Sequence, residues 1–203
     1  MADEFLFAVL YVISAIIFWS VRGYYIRKTS DPSERRTRAE RREAMSQEGW
    51  TGVAIVIMAP IEIAVAILYV INPFWLSLNF LMIPELARWV GLFVLLLSIP
   101  IAAWVHQTLG KSYSYALETK NEQALITSGP FSRVRHPLYS AHNIFNLGKV
   151  ILTLNIPLFL LSIFGVPLTY ARMRDEERMM IEQFGSDYEE YMKTTGRIFP
   201  KIW

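Results

Sequence analysis

The sequence predicts an all-α fold, a polytopic membrane helix bundle of about five transmembrane helices. Three observations predict it. Of the 203 residues 53% are hydrophobic and 19% charged, and the charges sit in blocks between long apolar runs; a soluble domain carries about 25% charged residues, interspersed. The runs approach the roughly 20 residues that cross a hydrocarbon core about 30 Å thick. Finally, the Lys and Arg residues fall almost entirely on one side of the spans so defined. With no Cys in the chain, a disulfide scaffold, a thiol nucleophile and a Cys-ligated metal site are excluded. The composition also excludes a collagen-like or disordered chain, and a net charge of +2 is too small by itself to indicate nucleic acid.

The first span is expected over Phe5–Val21. It follows Met-Ala-Asp-Glu with no positive segment before it, which reads as a retained helix and not a cleaved leader. The second covers Val53–Ile71 and the third about Leu86–Val105. The apolar stretch from Tyr139 to Ala171 is too long for one span, and Asn155 and Pro157 interrupt it. It is read as a hairpin of two short helices, Tyr139 to about Leu154 and Pro157 to Ala171, accommodated by tilt or local bilayer thinning. Two regions result: 1–105, three helices with a charged loop over 22–50, and 106–203, a polar loop followed by the hairpin and C-terminal helices.

Eight cationic residues lie between Arg22 and Arg42, four at Lys111, Lys120, Arg133 and Arg135, and six at Arg172, Arg174, Arg178, Lys193, Arg197 and Lys201. These are 18 of the 20, and all share one side of a five-span model. The positive-inside rule then places the N-terminus outside and the C-terminus in the cytoplasm. Arg88 and Lys149 are the exceptions. The Arg22–Arg42 block reads first as a topology signal drawn to anionic headgroups. Its interleaved Asp31, Glu34, Glu40 and Glu43 suggest a solvated helix with i,i+4 pairs. Without aromatic residues from Thr29 to Glu48, it does not read as a nucleic-acid surface.

Glu62 and Lys149 lie inside the second and fourth spans, each about nine or ten residues from the cytoplasmic side and hence at similar depth. Intramembrane ionisable groups are costly and usually paired, so an ion pair is expected. The alternative is that one of them lines a polar substrate route.

Chemistry-bearing residues gather on the cytoplasmic face. Ser128-Gly129-Pro130 marks a tight turn, and His136 precedes a proline that biases it away from the α region. Pro137 suits the first position of the next helix. Arg135, His136 and Tyr139 therefore sit near the free N–H groups of a helix start, a place that favours an anionic group. Each alone also reads as an interfacial anchor or a structural histidine. After the hairpin, Arg172 and Glu176 are i,i+4 on one face. They form either a surface pair worth a few tenths of a kcal/mol or a site in which Arg forks onto a carboxylate and the acid meets a cation. Gly185 is expected to end that helix, with Ser186 and Glu189 as a capping box for the next.

Read together, Ser128–Tyr139 (SGPFSRVRHPLY), a helical hairpin, Arg172–Glu177 (RMRDEE), Phe184–Met192 (FGSDYEEYM) and Thr195–Pro200 (TGRIFP) resemble the isoprenylcysteine carboxyl methyltransferase family. The resemblance is closest to its small prokaryotic members and runs from about Val105 to the C-terminus. It implies an integral-membrane enzyme with a cytoplasmic S-adenosylmethionine site, acting on the carboxylate of a lipid-like, isoprenylcysteine-type substrate that enters from the bilayer. It also implies that Gln123, Ala124, Leu125, Ile126 and Phe131 border the adenosine. Family members commonly have Tyr at the position of Phe131, so a hydroxyl contact there is lost. Arg135, His136, Pro137, Leu138, Tyr139, Glu176 and Glu177 would complete the cofactor site, with Arg172 at the substrate carboxylate and Arg172 and Glu176 carrying catalysis. His142 lies outside the matched motif and reads as a helix residue.

No metal and no nucleic-acid partner are implied, and no Gly-x-Gly-x-x-Gly occurs to suggest a Rossmann cofactor site. The competing readings are an amine or thiol methyltransferase of the same build, an NADPH-dependent reductase of a lipid double bond, and a scaffold without activity. Arg172 favours the carboxylate acceptor, because an amine gains nothing from a cationic neighbour.

Overall fold

The computed structural model describes residues 2–29, 37, 49–78, 83–110 and 124–201. Gln123 and the acidic residues of the expected solvated helix, Asp31, Glu34, Glu40 and Glu43, lie outside the described residues. Each predicted apolar run forms a helix that outlasts the run, because hydropathy marks what the bilayer covers and not where backbone hydrogen bonding stops. Helix α1 spans Ala2–Thr29, with Asp3 and Glu4 in its first turn and Arg27 and Lys28 in its last, complementing the dipole at both ends. Helix α2 spans Trp50–Ile71 and α3 Glu85–Leu109. A short 3-10 turn at Gly129–Ser132 leads to α4, Pro137–Thr153. Helix α5 spans Ile156–Phe184 and α6 Ser186–Thr194.

Helices α1, α2, α3 and α5 are long and apolar enough to cross a membrane. The protein is an all-helical integral membrane protein. Helix α4 has 17 residues, about 25 Å at 1.5 Å per residue, short of a full hydrocarbon core. It lies chiefly against α3. Two glycines make that approach close: a Cβ on Gly91 would lie 2.6 Å from the Leu152 backbone nitrogen, and one on Gly148 would meet the backbone of Leu95 and Gly91. Around this seam Phe7, Tyr11 and Phe18 of α1, Tyr69 of α2, Leu95 and Ala102 of α3, Phe145 and Leu152 of α4 and Leu158 of α5 form the buried core. Ile57, Ile61, Ile63 and Ile67 of α2, Phe93 of α3 and Phe164 of α5 point outward, where lipid tails accept apolar surface without penalty.

The expected hairpin turn forms where Asn155 and Pro157 interrupt the apolar stretch. Leu154 takes a left-handed conformation with φ 46°, and the Asn155 side chain caps α5 by accepting from the Leu158 N–H at 3.2 Å. The loop after α2 docks there, with the Ile156 N–H donating to the Leu76 carbonyl at 2.9 Å. At the same end of the molecule Arg88 is buried on α3. It donates to the Leu152 carbonyl at 2.9 Å and to Glu4 at 2.6 Å, and its guanidinium lies 3.9 Å from the Phe7 ring centroid. An otherwise costly membrane arginine thus closes one of the open carbonyls at the end of α4.

Mid-bundle, Lys149 of α4 donates to Glu62 of α2 at 2.6 Å, the pair expected from equal depth. Lys149 is buried among the helices, so either partner alone leaves an uncompensated charge away from water. Glu62→Gln and Lys149→Met should each cost about 3 kcal/mol, with the double variant recovering at least about 1 kcal/mol of the summed loss. Thermal unfolding in detergent measures this cycle; strictly additive losses would show that the contact contributes nothing.

One expected device is absent. Ser186 makes no capping hydrogen bond, because Gly185 (φ 53°) already occupies the N-cap and Ser186 is the first helical residue. The Gly185 carbonyl accepts from the Glu189 N–H at 3.2 Å instead. The glycine that ends α5 starts α6 directly, leaving no position for a serine cap.

Candidate active site

The site is assembled where α5 continues past its apolar stretch. Its 29 residues, about 43 Å long, carry Arg172–Glu177 beyond the apolar stretch and alongside the N-terminus of α4. Pro137 occupies the first turn of α4, as expected, and His136 is the N-cap residue with φ −120° and ψ 59°. Its side chain makes no cap bond, so the imidazole is available to α5.

His136 lies between two consecutive carboxylates: Nδ1 is 3.3 Å from Glu176 Oε2 and Nε2 is 3.3 Å from Glu177 Oε1. Adjacent residues on one helix point about 100° apart, so only a ring reaching between them touches both. Burial works against protonating His136, but hydrogen bonds and charge from Glu176 and Glu177 prevail and raise its pKa above the ordinary value.

The two glutamates have different surroundings. Glu177 is buried and receives Arg135 Nε at 3.0 Å, Arg197 Nε at 3.1 Å on the same oxygen, and Arg197 Nη2 on the other. Glu176 keeps 27% side-chain exposure. It accepts from the Tyr139 hydroxyl at 2.5 Å, and Arg172 Nε stands 3.8 Å away, beyond hydrogen-bond reach. Arg172 is buried and also acts on the Tyr139 hydroxyl. One carboxylate is enclosed by cations; the other is partly open.

The C-terminal segment closes the cluster from the far side. Arg135 donates through Nη1 to the carbonyls of Met192, at 3.2 Å, and Thr195. The Arg135 and His136 N–H groups donate to the carbonyls of Gly196 at 2.8 Å and Arg197 at 3.0 Å. Gly196 is required there, because a Cβ would collide with the Phe199 carbonyl. Tyr191 donates to the Phe131 carbonyl at 2.6 Å and Ser140 to that of Ile198 at 2.6 Å.

Of the residues expected at the site, the structure brings together Arg135, His136, Tyr139, Arg172, Glu176 and Glu177. Pro137 shapes the helix start and is buried, and Leu138 packs against the core. Phe131 is buried under α6, with its carbonyl used by Tyr191. Ala124 is exposed and Leu125 and Ile126 are half-buried in irregular backbone ahead of the 3-10 turn. Gln123 lies outside the described residues. Arg197 was not expected here; its only sequence signal was its place in the Thr195–Pro200 motif, since 20 residues separate it from Glu177. Among the described residues no group of three or more His, Asp and Glu side chains could hold a metal ion.

Residues 89–182, from α3 into α5, match the model of the isoprenylcysteine carboxyl methyltransferase (ICMT) family. Over this stretch the chain is similar to that family. The chain is 34% identical over 98 residues to the Protein-S-isoprenylcysteine O-methyltransferase of Saccharomyces cerevisiae, covering 47% of this chain and 41% of that protein. It is also 29% identical over 120 residues to the Cobalt-zinc-cadmium resistance protein CzcN of Cupriavidus metallidurans, covering 57% of this chain and 55% of that one. The chain thus spans about half the length of the curated relatives it matches. The structure of the eukaryotic intramembrane Ras methyltransferase ICMT superposes with a TM-score of 0.58 at 22% identity, over 70% of this chain and 53% of that one. At that identity the likeness establishes an ICMT-like fold.

Proposed function

We propose that this protein transfers a methyl group from S-adenosylmethionine to the carboxylate of a lipophilic, isoprenylcysteine-type acceptor. The observation that carries the reading is the partly open Glu176 carboxylate beside the buried Arg172, just past the apolar stretch of α5 and within the family-matched residues. The donor set fits the cofactor: Glu176 with the Tyr139 hydroxyl suits its ammonium, and Leu125, Ile126 and Phe131 offer apolar surface for its adenosine. When bound, S-adenosylmethionine supplies an electrophilic methyl group on a sulfonium.

The protein's own task is placement. A carboxylate acceptor is ionised near neutral pH, so no strong general base is needed. Arg172 orients it in a two-pronged contact, and the low-dielectric membrane end strips water from the nucleophile. The apolar outer faces of α2, α3 and α5 give a lipid tail its environment. The same reading puts the catalytic work in 106–203 and leaves 1–105 as the membrane frame. It sets the site on the cytoplasmic face, with the N-terminus outside and the C-terminus inside, by the distribution of Lys and Arg.

Isothermal titration with S-adenosylhomocysteine and with NADPH, followed by a radiolabelled-methyl assay on a farnesylcysteine analogue, tests the reading. Arg172→Ala should lower turnover about 100-fold or more, the cost of losing one preorganised charge contact, while leaving S-adenosylhomocysteine affinity nearly unchanged. Glu176→Ala should also abolish turnover and weaken that affinity about tenfold or more, as expected for one charge-assisted hydrogen bond. Binding of NADPH in place of S-adenosylhomocysteine would defeat the proposal, and unchanged rates in either variant would remove the assigned role.

A further inference from the structure

We propose that Arg197, in the segment after α6, is a positioning residue: it holds Glu177, Glu177 holds His136, and His136 holds the open carboxylate of Glu176. The inference rests on the reading of Glu176 as a cofactor ligand and extends it to a residue in a different element.

The geometry is directional. Arg197 grips both oxygens of Glu177, Nε on Oε1 at 3.1 Å and Nη2 on Oε2. A two-pronged contact fixes the plane of a carboxylate, which a single donor cannot do. Arg135 also reaches Glu177 Oε1, but through Nε alone; its Nη1 is given to two carbonyls. With the plane fixed, Oε1 faces His136 Nε2 at 3.3 Å, and the opposite ring nitrogen faces Glu176 at 3.3 Å. Arg197 is itself held against the Tyr170 ring, 4.9 Å from its centroid. It also sits one residue beyond Gly196, whose carbonyl accepts from Arg135. The Tyr170 ring on α5 and the anchored tail therefore aim the guanidinium from two sides.

Removing the fork has two consequences. Arg135 still holds Glu177 Oε1 near the ring, but the carboxylate plane is no longer fixed, so the imidazole and Glu176 lose their common alignment. Glu177 also loses one of its two guanidinium partners, so its charge acts more strongly on His136. The charged and titratable groups around that ring are Arg135 beside it, Tyr139 on α4, Arg172, Glu176 and Glu177 on α5, and Arg197 on the tail. Tyr188 of α6 lies within electrostatic reach of Glu177 and Arg135. Among them Arg197 is a cation that opposes protonation, so its loss moves the His136 titration to higher pH.

The experiment compares wild type, Arg197→Gln and Arg197→Lys as full-length protein in detergent. With only 3 histidines in the chain, the His136 ring signal is resolvable by NMR and assignable from its absence in His136→Gln. Arg197→Gln should raise the His136 midpoint and weaken S-adenosylhomocysteine binding about tenfold, as for one lost charge-assisted contact, while kcat at saturating cofactor changes less than about threefold. Arg197→Lys keeps the charge but not the fork, so it should restore the midpoint and only part of the affinity.

A merely structural role would lower the melting temperature and leave the midpoint and the KM-to-kcat split unmoved; that result overturns the inference. If the Gln variant does not purify folded, Arg197→Lys decides: weaker binding at an unchanged midpoint supports the fork, and wild-type binding removes it. Absence of S-adenosylhomocysteine binding by wild type would defeat the cofactor reading, and the His136 midpoint would still decide whether Arg197 positions the cluster.

Discussion

Glu177→Ala is expected to cost about 3–5 kcal/mol, the loss seen when one partner is removed from a buried charge network. Arg135 and His136 are nearly enclosed, with side-chain exposures of 9% and 6%, and without Glu177 neither reaches water without moving the tail. Arg197, at 27% exposure, can turn outward, so Arg135 and His136 carry most of the penalty. The damage should appear first at the C-terminal cap, because Arg135 also holds the carbonyls of Met192 and Thr195.

Thermal unfolding with limited proteolysis of the segment after α6 measures it; a variant within about 1 kcal/mol of wild type would show that the enclosure is not needed. A pH dependence should go with it. His136 has a raised folded pKa, so its contribution is complete below the unfolded value of about 6.5 and lost as pH rises through the folded one. Glu177→Gln should shrink that pH-dependent part.

The second large effect is expected at the seam of α3 and α4. Gly148→Leu forces a side chain into the backbone of Leu95 and Gly91. The obstacle is main chain and cannot rotate aside, so the helices must separate. About 3 kcal/mol or more is expected, the upper range for overpacking. The damage should spread to the neighbouring Lys149–Glu62 contact and to the Arg88 bond with the Leu152 carbonyl. Gly165 on α5 is the control: a Cβ there meets nothing within 4 Å, so Gly165→Leu should leave the melting temperature nearly unchanged. Equal effects of the two substitutions in detergent would refute the close approach.

Much of the candidate site was legible because it depends on short-range rules. Arg172 and Glu176 share a face by helical period, Pro137 starts a helix because it lacks an N–H, and the turn at Asn155 follows from a side chain that caps its own helix. The Glu62–Lys149 pair was legible for a related reason: rise per residue converts sequence position into membrane depth, and a buried charge needs a partner. The expected Ser186 cap did not form because a single glycine could serve both helices, a choice that local preference does not rank.

The sequence by itself determined the all-helical membrane architecture, the hairpin turn and the cluster of basic and acidic residues at one end, since each follows from hydropathy, period and charge within a few turns of chain. Only the tertiary structure decided which glutamate is enclosed and which is open. Glu176 and Glu177 are adjacent and chemically identical, and their difference arises because Arg135 and Arg197, 42 and 20 residues away, converge on one of them. The glycine seam of α3 and α4 and the Arg88–Glu4 pair, 84 residues apart, have the same origin. Their partners are set by how helices pack, and no periodicity along the chain encodes that.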